Sequence, residues 1–469
     1  MEEKTKLFSR LGCIYIILPL IIFFAGFLNL PAAVISCTAV LAASYFLFKD
    51  APGLWKPQGR KEYLLLACAA AAALIWVCTS GIGALMYQNF DHEYRNLVFE
   101  VLIEHKWPVF TGDGAAFLSY YIGFWMPSAL IGKIFNSISI GYYAQVIWAA
   151  LGVFLVFYFI LASLKKKSFM PLMLFILFSG LDIIGIYLIA GRLKDGFGMH
   201  IEWWTGYWQF SSFTTQLYWV FNQALYAWLL TLILYNEKTN KNMIFLYASL
   251  FIYAPIPALG LFPFLLYFMI KNSGFGFKLI KSLFTIQNII GVSAVFPIIY
   301  FYLSNNISGG KFHIAVPIFL PAVILFLLFF MLEAGIYLLL LFKQNKNSPL
   351  WYISLLCLFI CPFLYIGSAK DFSMRASIPA LLMIYLMTAQ AFQNEDFLKQ
   401  KVCRFLLISA LILGSAAPVC EIYRSFSSTQ KGIIKADIDK ADLKLYFNNF
   451  HSYSKNSIFV KYLAKRNQK

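Results

Sequence analysis

The sequence predicts an all-α polytopic membrane protein with about 11–13 transmembrane helices, and three observations predict it. First, of 469 residues 61% are hydrophobic, 19% aromatic and only 13% charged, whereas a soluble chain carries roughly 25% charged residues. Second, apolar runs of about 20 residues, the length a helix needs to cross hydrocarbon, recur along the whole chain. Third, no run alternates polar and apolar residues as an outer-membrane barrel strand would, which leaves helices as the way to satisfy the backbone in lipid.

The elements follow in order. The run from Leu11 to Leu30 is too long for a signal-peptide core and lacks a small-residue cleavage site, so it reads as a retained span. Helices are then expected at 32–48, 62–86, 139–163, 168–190, 213–235, 281–303, 314–342, 350–366, 376–392 and 405–418. The stretch 243–270 holds Pro255, Pro257 and Pro263 and reads as a hairpin of two short, broken helices. The stretch 116–135 is apolar enough to span. Counting it as a span, however, moves Lys165, Lys166 and Lys167 outside and inverts every later loop. As a re-entrant or juxtamembrane element it restores the charge bias that sets orientation. The inner segments then hold 20 of the 38 Lys and Arg, and the outer loops 87–115, 191–212, 304–313 and 367–375 hold 7.

Residues 1–420 therefore form one transmembrane helical domain with a cytoplasmic N-terminus. The tail 421–469 lies outside and is too short for a core of its own. Its ten Lys and Arg run against the charge bias, but late segments weigh less in setting topology. Ile434, Ile438, Ala441 and Leu445 mark one face of an amphipathic helix there.

Composition narrows function as well. All eight cysteines lie in or beside spans, which suits packing rather than a disulfide framework. Cys357 and Cys361 share a helix face, but two thiols without histidines make a poor zinc site. The net charge of +17 fits basic loops on anionic lipid better than nucleic acid. The inner loops carry no phosphate loop and no GxGxxG motif after a strand. All five histidines, His92, His105, His200, His313 and His451, fall on the outer side, with most of the uncommon polar clusters.

The first outer loop opens with Asp91-His92-Glu93 and continues through Leu97, Val98, Val101 and Leu102, which share one helical face. That predicts a short helix lying in the interface. Two carboxylates one residue apart could divide the work, one accepting a proton and the other binding a cation or orienting an acceptor. They equally fit solvated charges at a helix end. Any metal would sit on Asp91 and Glu93, as a divalent cation such as Mg or Mn. Asp113 lies later in the same loop. The second loop places His200 and Glu202 beside Trp203, Trp204 and Trp208, an arrangement that suits a sugar and equally an interfacial aromatic belt. Lys311 and His313 share a third loop. In the fourth, Arg375 could grip a phosphate at headgroup depth, snorkel to lipid, or pair with Asp371 four residues earlier.

This layout resembles the GT-C superfamily of membrane glycosyltransferases. The resemblance rests on Asp91-His92-Glu93 opening the first large outer loop, the interfacial helix after it, and Tyr120-Tyr121 with Pro127 leading into the next helix. The proline-broken hairpin from Ala254 through Pro263-Phe264 adds to it. It covers most of residues 60–400 through short, degenerate motifs. The resemblance implies transfer of a sugar from a polyprenyl-phosphate or polyprenyl-diphosphate donor to a glycan, lipid or protein acceptor on the outer face of a bacterial plasma membrane. Asp91 would be the base, assisted by Glu93. Arg375 would hold the lipid phosphate, with Arg192 and Lys311 in reserve, and His200, Glu202, Asp371 and Asp113 would touch sugar or acceptor. Two features depart from the pattern: a second span pair precedes the acidic loop, and no large soluble C-terminal domain follows.

Two other readings compete. A lipid-linked polysaccharide polymerase or ligase would depend on outer-loop arginines and His200. A transporter or flippase would depend on the intramembrane carboxylates Asp182 and Glu333.

Overall fold

The chain is an all-α polytopic membrane protein. The structure is a computed structural model describing residues 6–193, 197–302, 312–366 and 371–465. Among them, nine helices are long and apolar enough to cross a membrane. A tenth span exists if Phe277–Leu283 and Ile286–Tyr302, bent by 60°, count as one. Met243–Ile252, Pro349–Phe363 and Ile378–Ala391 are apolar but shorter. The Phe213–Asn236 helix is the hub, with 94% of its apolar window buried against 22% for Gly59–Cys78 at the rim. That burial explains why Gln216, Asn222 and Gln223 sit on it at no measurable exposure.

Several boundaries differ from those the hydropathy predicts, each for a local reason. The helix expected over 62–86 stops at Cys78, where Gly81 and Gly83 adopt φ of +86° and +74°. Such positive φ is open to glycine and strained for other residues. The helix expected over 405–418 continues past Ser415 into Ala416–Gln430. Glu421 is therefore a buried helical residue, and the tail starts after Gln430. The span 168–190 is interrupted: Met170–Leu177 and Asp182–Ala190 are helical, and residues 178–181 are not. Within Leu320–Asn345, the five residues Met331–Gly335 form a π-helical turn, a feature that frequently marks functional positions.

The stretch 116–135 holds a three-residue strand, a 3₁₀ turn and a nine-residue helix, Met126–Ile134. Nine residues rise about 13 Å, under half of a ~30 Å hydrocarbon core. The tail is not one amphipathic helix. Asp437 and Asp442 turn their carboxylates back onto the amides of Asp439, Lys444 and Leu445, which favours caps and turns over continuation. Among the described residues of the tail, only Leu443–Phe450 forms an α-helix. The tail then pairs as a strand, His451–Tyr453, antiparallel to Ala116–Leu118, and Leu463 accepts from the Asn29 amide at 2.8 Å.

The two ends of the bundle separate chemically. At the basic end, Asp50 meets Lys241 at 3.6 Å and Gln287 at 3.1 Å, and Gln393 ties to the Lys166 backbone. At the other end, segments 87–96, 200–219, 371–375 and the tail converge.

Candidate functional site

The Asp91–Glu104 helix carries the first half of the site. It begins where Asn89 accepts from the Asp91 amide at 3.1 Å and donates to the Tyr218 carbonyl at 2.9 Å, which locks the helix start onto the hub. Its far end is capped by Lys133, whose ammonium donates to the carbonyls of Ile103 at 2.9 Å and His105 at 2.6 Å. The buried face is not the all-apolar stripe that spacing predicts. It keeps Val98 and Leu102 of that stripe and also runs through His92, Arg95, Asn96, Phe99 and Ile103.

Each buried polar group on that face has a reason to be there. His92 donates from Nε2 to the Tyr218 carbonyl at 3.0 Å and stacks on Phe221. Burial, reinforced by the charge of Arg95, pushes its pKa down to about 3, so it is a neutral positioning group. Asn96 donates to Gln88 Oε1 at 2.9 Å. Arg95, 5% exposed, donates from Nη2 to Asp91 Oδ2 at 2.8 Å and lies over the Phe221 ring. Its Nε and Nη1 are buried and find no acceptor among the described residues.

Arg375 forms the second half. It pairs with Asp371 at 2.9 Å, and its Nε is buried and unpaired among the described residues. Burial works against its charge, but Asp371, Tyr121, Tyr120 and Asp91 outweigh it and hold the guanidinium proton more firmly than usual. Tyr120 and Tyr121 stand with ring centroids 3.8 Å apart. Burial raises the Tyr120 hydroxyl pKa, with the nearby Arg375 and Arg95 pulling the other way. Two arginines, two tyrosines and Asp91 thus form one cluster, with three guanidinium nitrogens left without an acceptor among the described residues.

The remaining candidates lie elsewhere or are already engaged. Glu93 points away from Asp91, because residues two apart on a helix are about 200° apart, and its charge is felt by Lys440 of the tail. With Asp91 Oδ2 taken by Arg95, the two carboxylates do not fit a shared cation. Among the described residues no group of three or more His, Cys, Asp or Glu is placed to hold a metal ion. Asp113 is exposed and accepts from Thr111 and the Ala115 amide in its own turn, which lowers its pKa. Arg192 is exposed at the end of Asp182–Ala190. Lys311 lies outside the described residues. His313 stacks on Tyr365 across a two-stranded pairing.

Glu202 is 1% exposed and spends both oxygens inside the protein. It accepts from Thr215 at 2.6 Å, the Ser212 amide at 2.9 Å and Gln209 at 3.0 Å. A carboxylate at the N-terminus of Phe213–Asn236 is well placed against that helix dipole, so Glu202 anchors the hub rather than facing a sugar. Of the three tryptophans, Trp204 and Trp208 are buried rather than forming a belt.

His200 donates from Nδ1 to Glu421 Oε1 at 2.8 Å, and Glu421 also accepts from Trp219 at 3.0 Å and pairs with Arg424. Arg95, Glu421 and Arg424 were not singled out from sequence. Their signals were present as i,i+4 and i,i+3 charge pairs, Asp91 with Arg95 and Glu421 with Arg424.

Burial lowers the His200 pKa, but the hydrogen bond and charge of Glu421, with the charge of Glu202, outweigh it, so the net shift is upward. A raised folded pKa contributes stability that is full below the unfolded value of about 6.5 and is lost as pH rises through the higher folded value. Thermal unfolding in detergent is expected to show stability falling across and above neutral pH in the wild type. The step should disappear in His200→Gln, and an unchanged step would assign it to another group.

A cavity of about 440 Å³ beside the second loop is lined by Tyr207, Trp208, Pro317 and Tyr365, and does not include Asp91 or either arginine. Comparison of the chain with family models, curated proteins and solved structures returns no match in any of the three.

Proposed function

We propose that the chain is a glycosyltransferase. It moves a sugar from a polyprenyl-phosphate or polyprenyl-diphosphate donor to an acceptor hydroxyl at the outer membrane face, with Asp91 as the base. The observation that carries this reading is the convergence of Asp91, part-exposed and held by Arg95, with Arg375 and three buried guanidinium nitrogens that have no acceptor among the described residues. Arginine forks match phosphate oxygens, and a buried donor without an acceptor is costly unless a ligand completes it. Asp91, 30% exposed at the side chain, keeps one oxygen free of Arg95 to take the acceptor's proton as that hydroxyl attacks the anomeric carbon. The bond to the phosphate oxygen breaks, and the leaving phosphate's new charge meets Arg95 and Arg375.

The test supplies purified protein in membranes with a polyprenyl-phosphate-linked sugar and measures transfer. Arg95→Gln and Arg375→Gln are each expected to raise the donor KM at least about tenfold, since a charged hydrogen bond contributes roughly 1.5–3 kcal/mol. No transfer from any lipid-linked donor would defeat the reading.

A second reading, transport, is favoured by one observation: an interrupted span whose second half starts at Asp182, packed against Glu333. Discontinuous helices carrying buried carboxylates are common in transporters.

A further inference from the structure

The pair Asp182–Glu333 takes no part in the cluster above, and its geometry poses a problem that only a ligand solves. Asp182 is 1% exposed and Glu333 2%. Asp182 Oδ2 accepts from Ser179 at 3.0 Å, and Glu333 Oε1 accepts from Trp204 at 2.8 Å. The other two oxygens, Asp182 Oδ1 and Glu333 Oε2, have no donor among the described residues. The Asp182 segment brings Gly180 against Glu333 Oε2. An ionised carboxylate oxygen buried without a donor is costly, and a hydrogen held on these oxygens removes that cost.

The backbone is shaped around this contact. Residues 178–181 leave the helix, and the Leu181 amide donates to the Leu332 carbonyl at 3.0 Å. Gly180 lies so close that a Cβ there would sit 2.0 Å from Glu333 Oε2 and 2.7 Å from Glu333 Cα. The opposing π turn presents Glu333. Glu202 and His200 face the pair from the second loop, Tyr337 from the helix after the π turn, and Cys420 from Ala416–Gln430. Among the described residues no lysine or arginine hydrogen-bonds to either carboxyl group, and none of them replaces the proton.

We propose that Asp182 and Glu333 form an intramembrane proton-binding site, which holds one proton between two carboxyl groups and ties the second loop to the bundle through Trp204. Loss of the proton to the medium leaves two facing anions beside the Glu202 carboxylate. Their repulsion moves Glu333 off Trp204 Nε1 and frees the loop. This inference stands on the pair's geometry and not on glycosyl transfer, so it survives or fails independently of that reading.

Infrared spectroscopy of the purified full-length protein in lipid tests the site directly. The wild type is expected to show the C=O stretch of a protonated carboxyl at neutral pH, shifted in D₂O and bleached as pH rises. The double variant Asp182→Asn with Glu333→Gln is expected to lack that band. A wild type without the band, or a double variant that keeps it, overturns the proposal. So does loss of the band at constant pH on adding sodium or magnesium chloride, which would mark a cation site. Deuterium exchange of the 197–212 backbone tests the coupling. It should rise with pH beyond the intrinsic chemical rate in the wild type and follow only that rate in the double variant. Identical behaviour in the two proteins would overturn the link to the loop.

Discussion

Asp91→Asn is expected to abolish sugar transfer while leaving the protein in the membrane. The change keeps the shape of the side chain and removes its capacity to take a proton, and a positioned general base typically contributes 10²–10⁴-fold in rate. It also removes the counter-ion of Arg95, a buried guanidinium with only one of its donors paired among the described residues. Some destabilisation should follow, on the order of 1–3 kcal/mol for a buried charged group losing its partner. The two effects separate in one experiment. Arg95→Gln removes the same ion pair but leaves the base, so it should lose donor affinity far more than turnover, whereas Asp91→Asn should lose turnover. Transfer that persists in Asp91→Asn would remove Asp91 from the mechanism. If Asp91→Asn is silent and Asp182→Asn abolishes function, transport becomes the better account.

Gly260→Ala is the second change with a large expected effect, and it acts at a distance. Gly260 lies where the Pro255–Ser273 helix crosses Phe372–Ala376. A Cβ there would fall 1.9 Å from the Ala376 carbonyl oxygen and 2.8 Å from its carbon. A backbone carbonyl cannot swing aside as a side chain would, so the two helices must separate. Overpacking of this kind costs about 1–3 kcal/mol, and small residues at helix crossings in membranes serve this close approach. Ala376 follows Arg375 directly, so the displacement carries the guanidinium away from Tyr120, Tyr121 and Asp91. Gly260→Ala is expected to lower the unfolding temperature in detergent and to raise the donor KM by at least the factor seen for Arg375→Gln. A normal KM in a folded Gly260→Ala protein would show that Arg375 does not depend on this crossing.

Much of the architecture was legible in the sequence because the membrane imposes few choices. A run of about 20 apolar residues has to be a helix in lipid, and its length is set by the bilayer. The charge pattern placed 116–135 outside the set of spans, and the short Met126–Ile134 helix has that character. The same reasoning failed where a boundary depends on a single backbone geometry. Gly81 and Gly83 end a helix that hydropathy carries on to residue 86, and Ser415 fails to end one that continues to Gln430. Asp437 and Asp442 divide a stretch whose apolar spacing reads as one helix.

The candidate site was half legible. Asp91 stands out because a carboxylate opening a large loop after a span is conspicuous. Arg375 stands out because a guanidinium at a span end is conspicuous too. Arg95 does not, since spacing assigns the buried face of its helix to Leu97, Val98, Val101 and Leu102. The hub's Tyr218 carbonyl, Phe221 ring and neighbouring Gln88 turn that helix so that His92, Arg95 and Asn96 are buried. Glu202 reads as a sugar contact beside tryptophans, yet the N-terminus of Phe213–Asn236 claims both its oxygens.

By itself, the sequence determined the solvent of this protein and the kind of element that spans it. Those follow from hydropathy and charge counted along the chain, which transfer free energies convert directly into position. Only the tertiary structure decided which charges meet: Asp91 with Arg95, Arg375 with two tyrosines, Asp182 with Glu333. Such meetings depend on the rotation and crossing of helices far apart in sequence, which are set by packing at glycines and breaks rather than by hydropathy.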